Sequence, residues 1–171
     1  VCRFRDSFPP LESPRTYGII GDPDRYRDDL APVCERLRQI GINLNLVPTV
    51  DLFDRGEGHV LDGRTFSDDP EIVARFARAT IEEHHRFGLA TCAKHFPGLG
   101  RSTGDPHRIL STADLTEEDF RRMELVPFRA AIEAGADAIM VTHLGVPNID
   151  DVPAVVSAKM ITGWLKKLLS F

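Results

Sequence analysis

Leu89-Ala90-Thr91-Cys92-Ala93 runs directly into Lys94-His95-Phe96-Pro97-Gly98. The first five residues form a short apolar run of the β type, and a Lys-His pair follows where the run ends. A loop rich in glycine, proline and serine comes next and finishes in Asp105-Pro106-His107. This order predicts a strand whose carboxyl end presents the Lys-His pair, followed by a loop that brings an Asp-x-His group to whatever the pair holds.

Strand and helix patterns alternate on both sides of this stretch. Asp22-Pro23 and the run from Ser67 to Pro70 each place a capping side chain beside an early proline, which is typical of a helix start, and Thr116 begins a third helix. Apolar and polar residues alternate over 42–47 and predict a strand with one polar face. A second apolar strand is expected over 138–142.

The helical patterns also indicate which side chains are buried. In the first of these helices an apolar stripe runs from Tyr26 to Ile40 and is expected to face the core. His84-His85 on the second helix is expected to be solvated. Pro127 should kink or split the third helix, because proline lacks the N–H that an α-helix needs. A last amphipathic helix begins at Ser157.

Repeated βα units with apolar strands predict an α/β fold with a parallel sheet covered by helices. A complete (β/α)8 TIM-type barrel needs about 250 residues, so the 171 residues supply about three parallel strands of one. We therefore expect residues 1–171 to form a single incomplete barrel domain. An open doubly wound sheet is the alternative, although no glycine-rich dinucleotide fingerprint supports it. In either fold the carboxyl ends of the strands carry the chemistry, and Asp51, Lys94-His95 and His143 fall at such ends.

Composition excludes several functional classes. The net charge of −5 gives no attraction toward nucleic acid or an anionic membrane, and no apolar run is long enough to span a bilayer. The three cysteines, Cys2, Cys34 and Cys92, are odd in number and widely spaced, so they form neither a disulfide framework nor a metal knuckle. A reducing compartment is therefore favoured, and we expect a cytoplasmic protein.

Longer motifs follow one another along the chain in a distinctive order. Besides the Lys-His and Asp-x-His groups, they occupy residues 1–4, 41–51, 63–70, 127–143 and 153–157. In this order they resemble the β-N-acetylglucosaminidase branch of glycoside hydrolase family 3, nearly from end to end. The resemblance implies a retaining exo-glycosidase on a (β/α)8 barrel. Such an enzyme removes terminal N-acetyl-β-D-glucosamine from glycosides such as cell-wall recycling fragments, with carbohydrate as its partner and without a metal or cofactor.

The resemblance assigns the catalytic roles residue by residue. His107 would be the general acid/base, and Asp105 would orient its ring and stabilise the imidazolium. An imidazole suits this role because its ordinary pKa is about 6.5. The nucleophile would be an aspartate beyond Phe171, and a sugar-binding aspartate would precede Val1. We therefore expect a fragment that is by itself inactive on glycosides and only marginally stable.

The resemblance also assigns sugar-binding residues. Lys94 and His95 would hydrogen-bond hydroxyls of the terminal sugar, because a lysine can donate up to three hydrogen bonds and a neutral histidine one more. Arg64 and Arg3 match family positions that contact the sugar. Two further residues are possible members of the site. Asp51 is expected to hold the structure of its loop rather than to touch substrate, whereas His143 would either line the site or pack against the next loop.

Two residues depart from the family pattern, and three alternatives stay open. Leu99 stands where the family often has histidine, and Pro106 stands where the dyad spacer is usually serine. The chain could be a degenerate, non-catalytic barrel segment. It could belong to the β-glucosidase branch, in which the Asp-x-His group is not expected. It could also use His95, His107, His143 and Asp51 as metal ligands, although their spacing and the neighbouring Lys94 argue against a cation.

Overall fold

The computed structural model describes residues 8–53, 60–103 and 110–171. In chain order the elements are α1 (Pro14–Ile20), α2 (Pro23–Gln39), β1 (Leu44–Asn45), α3 (Pro70–Arg86), β2 (Ala90–Phe96), β3 (Ser111–Thr112), α4 (Glu117–Asp119), α5 (Leu125–Glu133), β4 (Ala138–Val141) and β5 (Leu144–Gly145). A π-helical turn, Phe120–Glu124, joins α4 to α5. A 3-10 turn, Ala154–Val156, and a helix with π-type hydrogen bonding, Lys159–Leu168, complete the described chain.

The strands form a parallel sheet, as the repeated βα pattern predicts. The order is β1-β2-β4, and both neighbouring pairs are parallel. A second, two-stranded parallel pair joins β3 to β5. Because β2 lies between two partners, the Lys-His pair at its end occupies the middle of the sheet. The predicted α/β class with about three parallel strands is confirmed.

Local capping explains where the helices begin. The Asp22 side chain accepts hydrogen bonds from the amides of Asp24 and Arg25, both at 3.1 Å, and Asp69 caps α3 in the same way. Thr116 and Asp119 form a reciprocal capping box at the start of α4. All three predicted helix starts are confirmed, because each depends only on residues within one turn of the cap.

The strand expected over 42–47 is shorter than the alternation predicts. Only Leu44–Asn45 pairs as a strand, although the chain continues alongside β2 as far as a bridge between Thr49 and Lys94. The Val47 amide donates to the carbonyl of Asn45 at 2.9 Å instead of joining the ladder. Pro48 has no N–H to donate, so regular pairing cannot resume there.

Two predictions about burial are wrong. Ile40 is 48% exposed, because α2 ends at Gln39 and Ile40 leaves the helical stripe, while Cys34 is buried on the inner face instead. His84 is not solvated but only 1% exposed. Its ring Nδ1 donates to the Thr80 carbonyl at 2.7 Å, and its Nε2 accepts from the Asn45 side chain at 3.0 Å. Both ring nitrogens therefore have partners without water.

The third helix departs from α geometry before Pro127, as the sequence predicts in part. The helix neither ends nor splits at the proline, because the chain widens into the π turn Phe120–Glu124 and continues as α5. In a regular α-helix the proline ring would clash with the carbonyl four residues earlier. Glu124, the last residue of the π turn, has its side chain in the interior, where it is 1% exposed.

The outer edge of β1 is open within the described ranges. No described strand pairs with it, and the nearby apolar side chains of Ile42, Leu44 and Leu46 are exposed. An unpaired edge with apolar neighbours is a surface that further strands of a barrel would cover. None of the described helices combines the length and the apolar character that a membrane span requires.

Candidate active site

The Lys-His pair lies where β2 changes its register against β4. Lys94 is opposite Met140, but Phe96 is opposite Val141, so His95 is an extra residue on β2. An extra residue in one strand bends it and redirects a side chain, which is common beside functional sites. The peptide bonds Lys94-His95 and Phe96-Pro97 are both cis. The irregularity lies at the carboxyl end of the central strand, where a barrel places its chemistry.

Asp51 orients His95 from the neighbouring segment. The two residues are 44 positions apart in sequence, yet His95 Nδ1 lies 2.7 Å from Asp51 Oδ2. Asp51 Oδ1 accepts from the amide of His95 at 3.2 Å and from the amide of Leu99 at 2.7 Å. The Asp51 side chain is completely buried, whereas that of His95 is 15% exposed. Asp51 therefore lies behind the histidine and not on the open face of the site.

This arrangement determines the hydrogen-bonding capacity of His95. Because a carboxylate only accepts, the proton of a neutral ring resides on Nδ1 and points to Asp51. Nε2 is then an acceptor. The sequence-based expectation that a neutral His95 donates a hydrogen bond to the sugar is thereby corrected: the neutral ring would accept one from a hydroxyl. A protonated ring would donate from Nε2 as well.

Lys94 and Arg64 place two cations on the same side of the site. Lys94 is half-buried, and its pKa is lowered chiefly by burial and then by the nearby positive charge of Arg64. Arg64 is anchored by a hydrogen bond of 2.9 Å from Nη1 to the Val60 carbonyl. Within the described ranges the Lys94 ammonium has no hydrogen-bond or ion-pair partner, so its donors remain available to a ligand rich in acceptors.

The turn after β2 is packed too closely for larger residues. A Cβ on Gly100 would lie 1.8 Å from the Leu52 carbonyl oxygen, and a Cβ on Gly98 would lie 2.7 Å from Glu124 Oε2. Gly98 also has a φ of 134°. The Leu99 side chain is buried in the core while its amide binds Asp51. Where the family often has histidine, this chain therefore contacts the site through the backbone amide of Leu99 and not through a histidine side chain.

The remaining expected site residues are not all brought together. His143 follows β4 at the same end of the sheet, but it is exposed and makes no hydrogen bond with the other described site residues. Arg3, Asp105 and His107 lie outside the described residues. Among the described residues no group of three His, Cys, Asp or Glu side chains could hold a metal ion.

Glu124 also lies at this site and is not among the residues predicted from the sequence. Its carboxylate is buried against Gly98, and Arg101 Nε lies 3.2 Å from Oε1. Burial chiefly raises its pKa to about 7. The signal that could have found it is Pro127, because the π turn that precedes the proline places this glutamate on the inner face.

A family model and curated relatives match most or all of this chain. Residues 25–171 match the model of the glycosyl hydrolase family 3 N-terminal domain. The beta-hexosaminidase of Xanthomonas euvesicatoria is 37% identical over 177 residues, covering 100% of this chain and 52% of the relative. The chain thus spans about half the length of the curated relatives that it matches.

Solved structures give the same result. Native NagZ from Neisseria gonorrhoeae superposes with a TM-score of 0.90 at 30% identity, covering 100% of this chain and 52% of that one. A family 3 β-N-acetylglucosaminidase from Paenibacillus sp. superposes with a TM-score of 0.87 at 32% identity, covering 92% of this chain and 30% of that one. The resemblance drawn from the motifs is confirmed. The chain belongs to glycosyl hydrolase family 3, and its parallel strands are part of the family's barrel-type N-terminal domain.

Proposed function

We propose that the protein containing this chain is a retaining β-N-acetylhexosaminidase that removes terminal N-acetyl-β-D-glucosamine. The observation that carries the proposal is the Lys94-His95 pair at the carboxyl end of the central strand, with the histidine held by buried Asp51. The relatives named beta-hexosaminidase support it, since one matches this chain over its whole length. Cell-wall recycling fragments are the proposed natural substrates, and the free, buried Cys34 and Cys92 favour the cytoplasm.

In the proposed mechanism, the terminal sugar lies against Lys94 and His95. The Lys94 ammonium donates to hydroxyl oxygens, and His95 Nε2 accepts from a hydroxyl while Asp51 holds the ring. Arg64 supplies a second cationic donor beside Lys94. Arg3 is a further proposed sugar contact. Such contacts contribute to rate where they strengthen as the ring approaches the transition state.

The proposed chemistry proceeds in two displacements. An aspartate beyond Phe171 attacks the anomeric carbon, the bond to the leaving oxygen breaks, and His107 gives that oxygen a proton. His107, oriented by Asp105, then takes a proton from the water that releases the sugar. Two inversions at the anomeric carbon result in retention.

The test is hydrolysis by the natural protein that contains this chain. We expect cleavage of 4-nitrophenyl N-acetyl-β-D-glucosaminide in the presence of a chelator, with the β-anomer formed first in an NMR time course. Lys94→Ala should lower kcat/KM by about tenfold to a hundredfold, the usual effect of losing a hydrogen bond from a charged group. Lys166→Ala, on the exposed face of the last helix, is the matched control. An inverted first product, or a preference for the β-glucoside, would contradict the proposal.

A further inference from the structure

The buried carboxylate of Glu124 is the feature that the proposed chemistry does not use. Its side chain is 1% exposed, and neither oxygen has a hydrogen-bond partner among the described residues. Burying a carboxylate without hydrogen bonds costs free energy, and an apolar side chain of similar volume would be the more stable choice. Stability alone therefore does not explain this residue, and its position calls for another role.

Glu124 contacts the turn that follows the Lys-His pair. Its Oε2 lies where any side chain at Gly98 would have to be, and its Oε1 lies 3.2 Å from Arg101 Nε. The charged groups that face it are Arg101 from the turn, Asp51 from the segment after β1, and Asp119 from α4. Arg101 is the one cation among these groups, and it lies at the far end of the turn.

The same turn is attached to Asp51 on its other side. The Leu99 amide donates to Asp51 Oδ1 at 2.7 Å, and the Gly98 amide donates to the His95 carbonyl at 2.8 Å. Asp51 in turn holds the His95 ring. Residues 98–101 thus lie between two buried carboxylates. Asp51 binds the His95 ring directly, whereas Glu124 contacts the turn that supplies the Leu99 amide.

Two further observations favour a role at the site. Glu124 ends a π-helical turn, and such turns inside helices occur frequently at functional sites. The buried Ser102 hydroxyl also lacks a partner among the described residues. The Ser102 amide donates to the Leu99 carbonyl at 3.1 Å, and the ion pair with Glu124 adds a side-chain restraint on Arg101 to this backbone hydrogen bond.

We propose that Glu124 is a positioning residue for the sugar-binding pair, because its ion pair with Arg101 holds the turn 98–101 whose Leu99 amide fixes Asp51 and, through Asp51, the His95 ring. The inference rests on the proposed function only for the statement that this pair binds sugar. The positioning itself is a property of the folded chain and can be measured without substrate.

The first experiment uses the natural protein that contains this chain, labelled with 15N and observed by NMR at pH 8 without substrate. Glu124→Gln keeps the volume and removes the charge, and Arg101→Gln breaks the same pair from the exposed side, so at least one variant should stay folded. We expect exchange of the Leu99 amide and of the His95 Nδ1 proton with water to accelerate about tenfold in both variants. Glu83→Gln is the control, because it removes a buried carboxylate paired with Arg86 away from the site.

The second experiment measures kinetics in the natural protein. Glu124→Gln should raise KM several-fold with a smaller change in kcat, while Glu83→Gln leaves both unchanged. Unaltered exchange at Leu99 and His95 in the Glu124 and Arg101 variants would overturn the proposal, and so would faster exchange with an unchanged KM. A wild-type protein that cleaves no hexosaminide would refute the proposed function instead, and the exchange rates would still decide the positioning.

Discussion

Replacing Asp51 tests the central arrangement of the site most directly. Asp51→Ala leaves three donors without their acceptor: the His95 ring nitrogen, the His95 amide and the buried Leu99 amide, now at 2.7, 3.2 and 2.7 Å from the carboxylate. A buried donor left unpaired costs about 1–3 kcal/mol, and water can reach only the partly exposed ring. Because relief from burying the carboxylate offsets part of the loss, we expect the free energy of unfolding to fall by about 3–5 kcal/mol.

Asp51→Asn removes the negative charge but keeps the size and shape of the side chain. The amide oxygen can still accept from both backbone N–H groups, but the amide nitrogen would face His95 Nδ1. The ring must then carry its proton on Nε2, and we expect a smaller loss of about 1–2 kcal/mol.

Urea unfolding measures the stability differences, and 15N NMR of the histidine ring reports which nitrogen carries the proton. Asp151→Ala, at an exposed position, is the control. A free energy of unfolding for Asp51→Ala within about 0.5 kcal/mol of the control would contradict this role of Asp51, and so would a ring proton that stays on Nδ1 in Asp51→Asn.

Three further predictions concern pH and catalysis. Burial lowers the pKa of His84 from its ordinary value of 6.5, so the wild type should lose stability as pH falls below 6.5, and His84→Gln should flatten that dependence in urea melts at pH 5 and 8. Burial raises the pKa of Glu124 from 4.5 to about 7, so its contribution to stability is present below pH 4.5 and disappears as pH rises through 7. The free energy of unfolding of Glu124→Gln, taken relative to wild type, should therefore rise by about 3 kcal/mol from pH 4 to pH 8. A difference between the two proteins that does not change with pH would contradict this. In the natural protein His107→Ala should slow the hydrolysis of substrates with poor leaving groups by about 10²–10⁴-fold, and that of activated aryl glycosides much less. Equal losses of rate on the two substrate classes would remove His107 from the acid/base role.

The proposed positioning role requires the ionised form of Glu124. Above pH 7 the ionised carboxylate lowers the stability of the fold, yet that is the form that pairs with Arg101. Sites that hold ligands commonly retain groups that an optimally stable core would exclude. At pH 8 Glu124→Gln should therefore lose order in the turn although it avoids the cost of ionising a buried carboxylate.

The local features of this protein could be predicted from its sequence alone. Asp22, Asp69 and Thr116 each begin a helix, because a cap is satisfied by amides two or three residues away. The apolar run before Lys94 predicted the central strand, and the order of βα units predicted a parallel sheet. The motifs indicated the family for the same reason, since each is a short segment of residues that are close together in the sequence.

Contacts between residues that are distant in sequence could not be predicted in this way and come from the folded structure. Asp51 and His95 are 44 residues apart, and Asn45 and His84 are 39 apart, so neither pair has a local signal in the sequence. The burial of His84 and Glu124 depends on which elements pack over the helix face that carries each residue. From the sequence alone, a polar residue on such a face is predicted to be exposed to solvent. The tautomer of His95 also depends on a distant residue, because Asp51 determines which ring nitrogen carries the proton. Periodicity reports which face of an element is buried, whereas the pairing of polar groups within the core is set by the approach of separate elements.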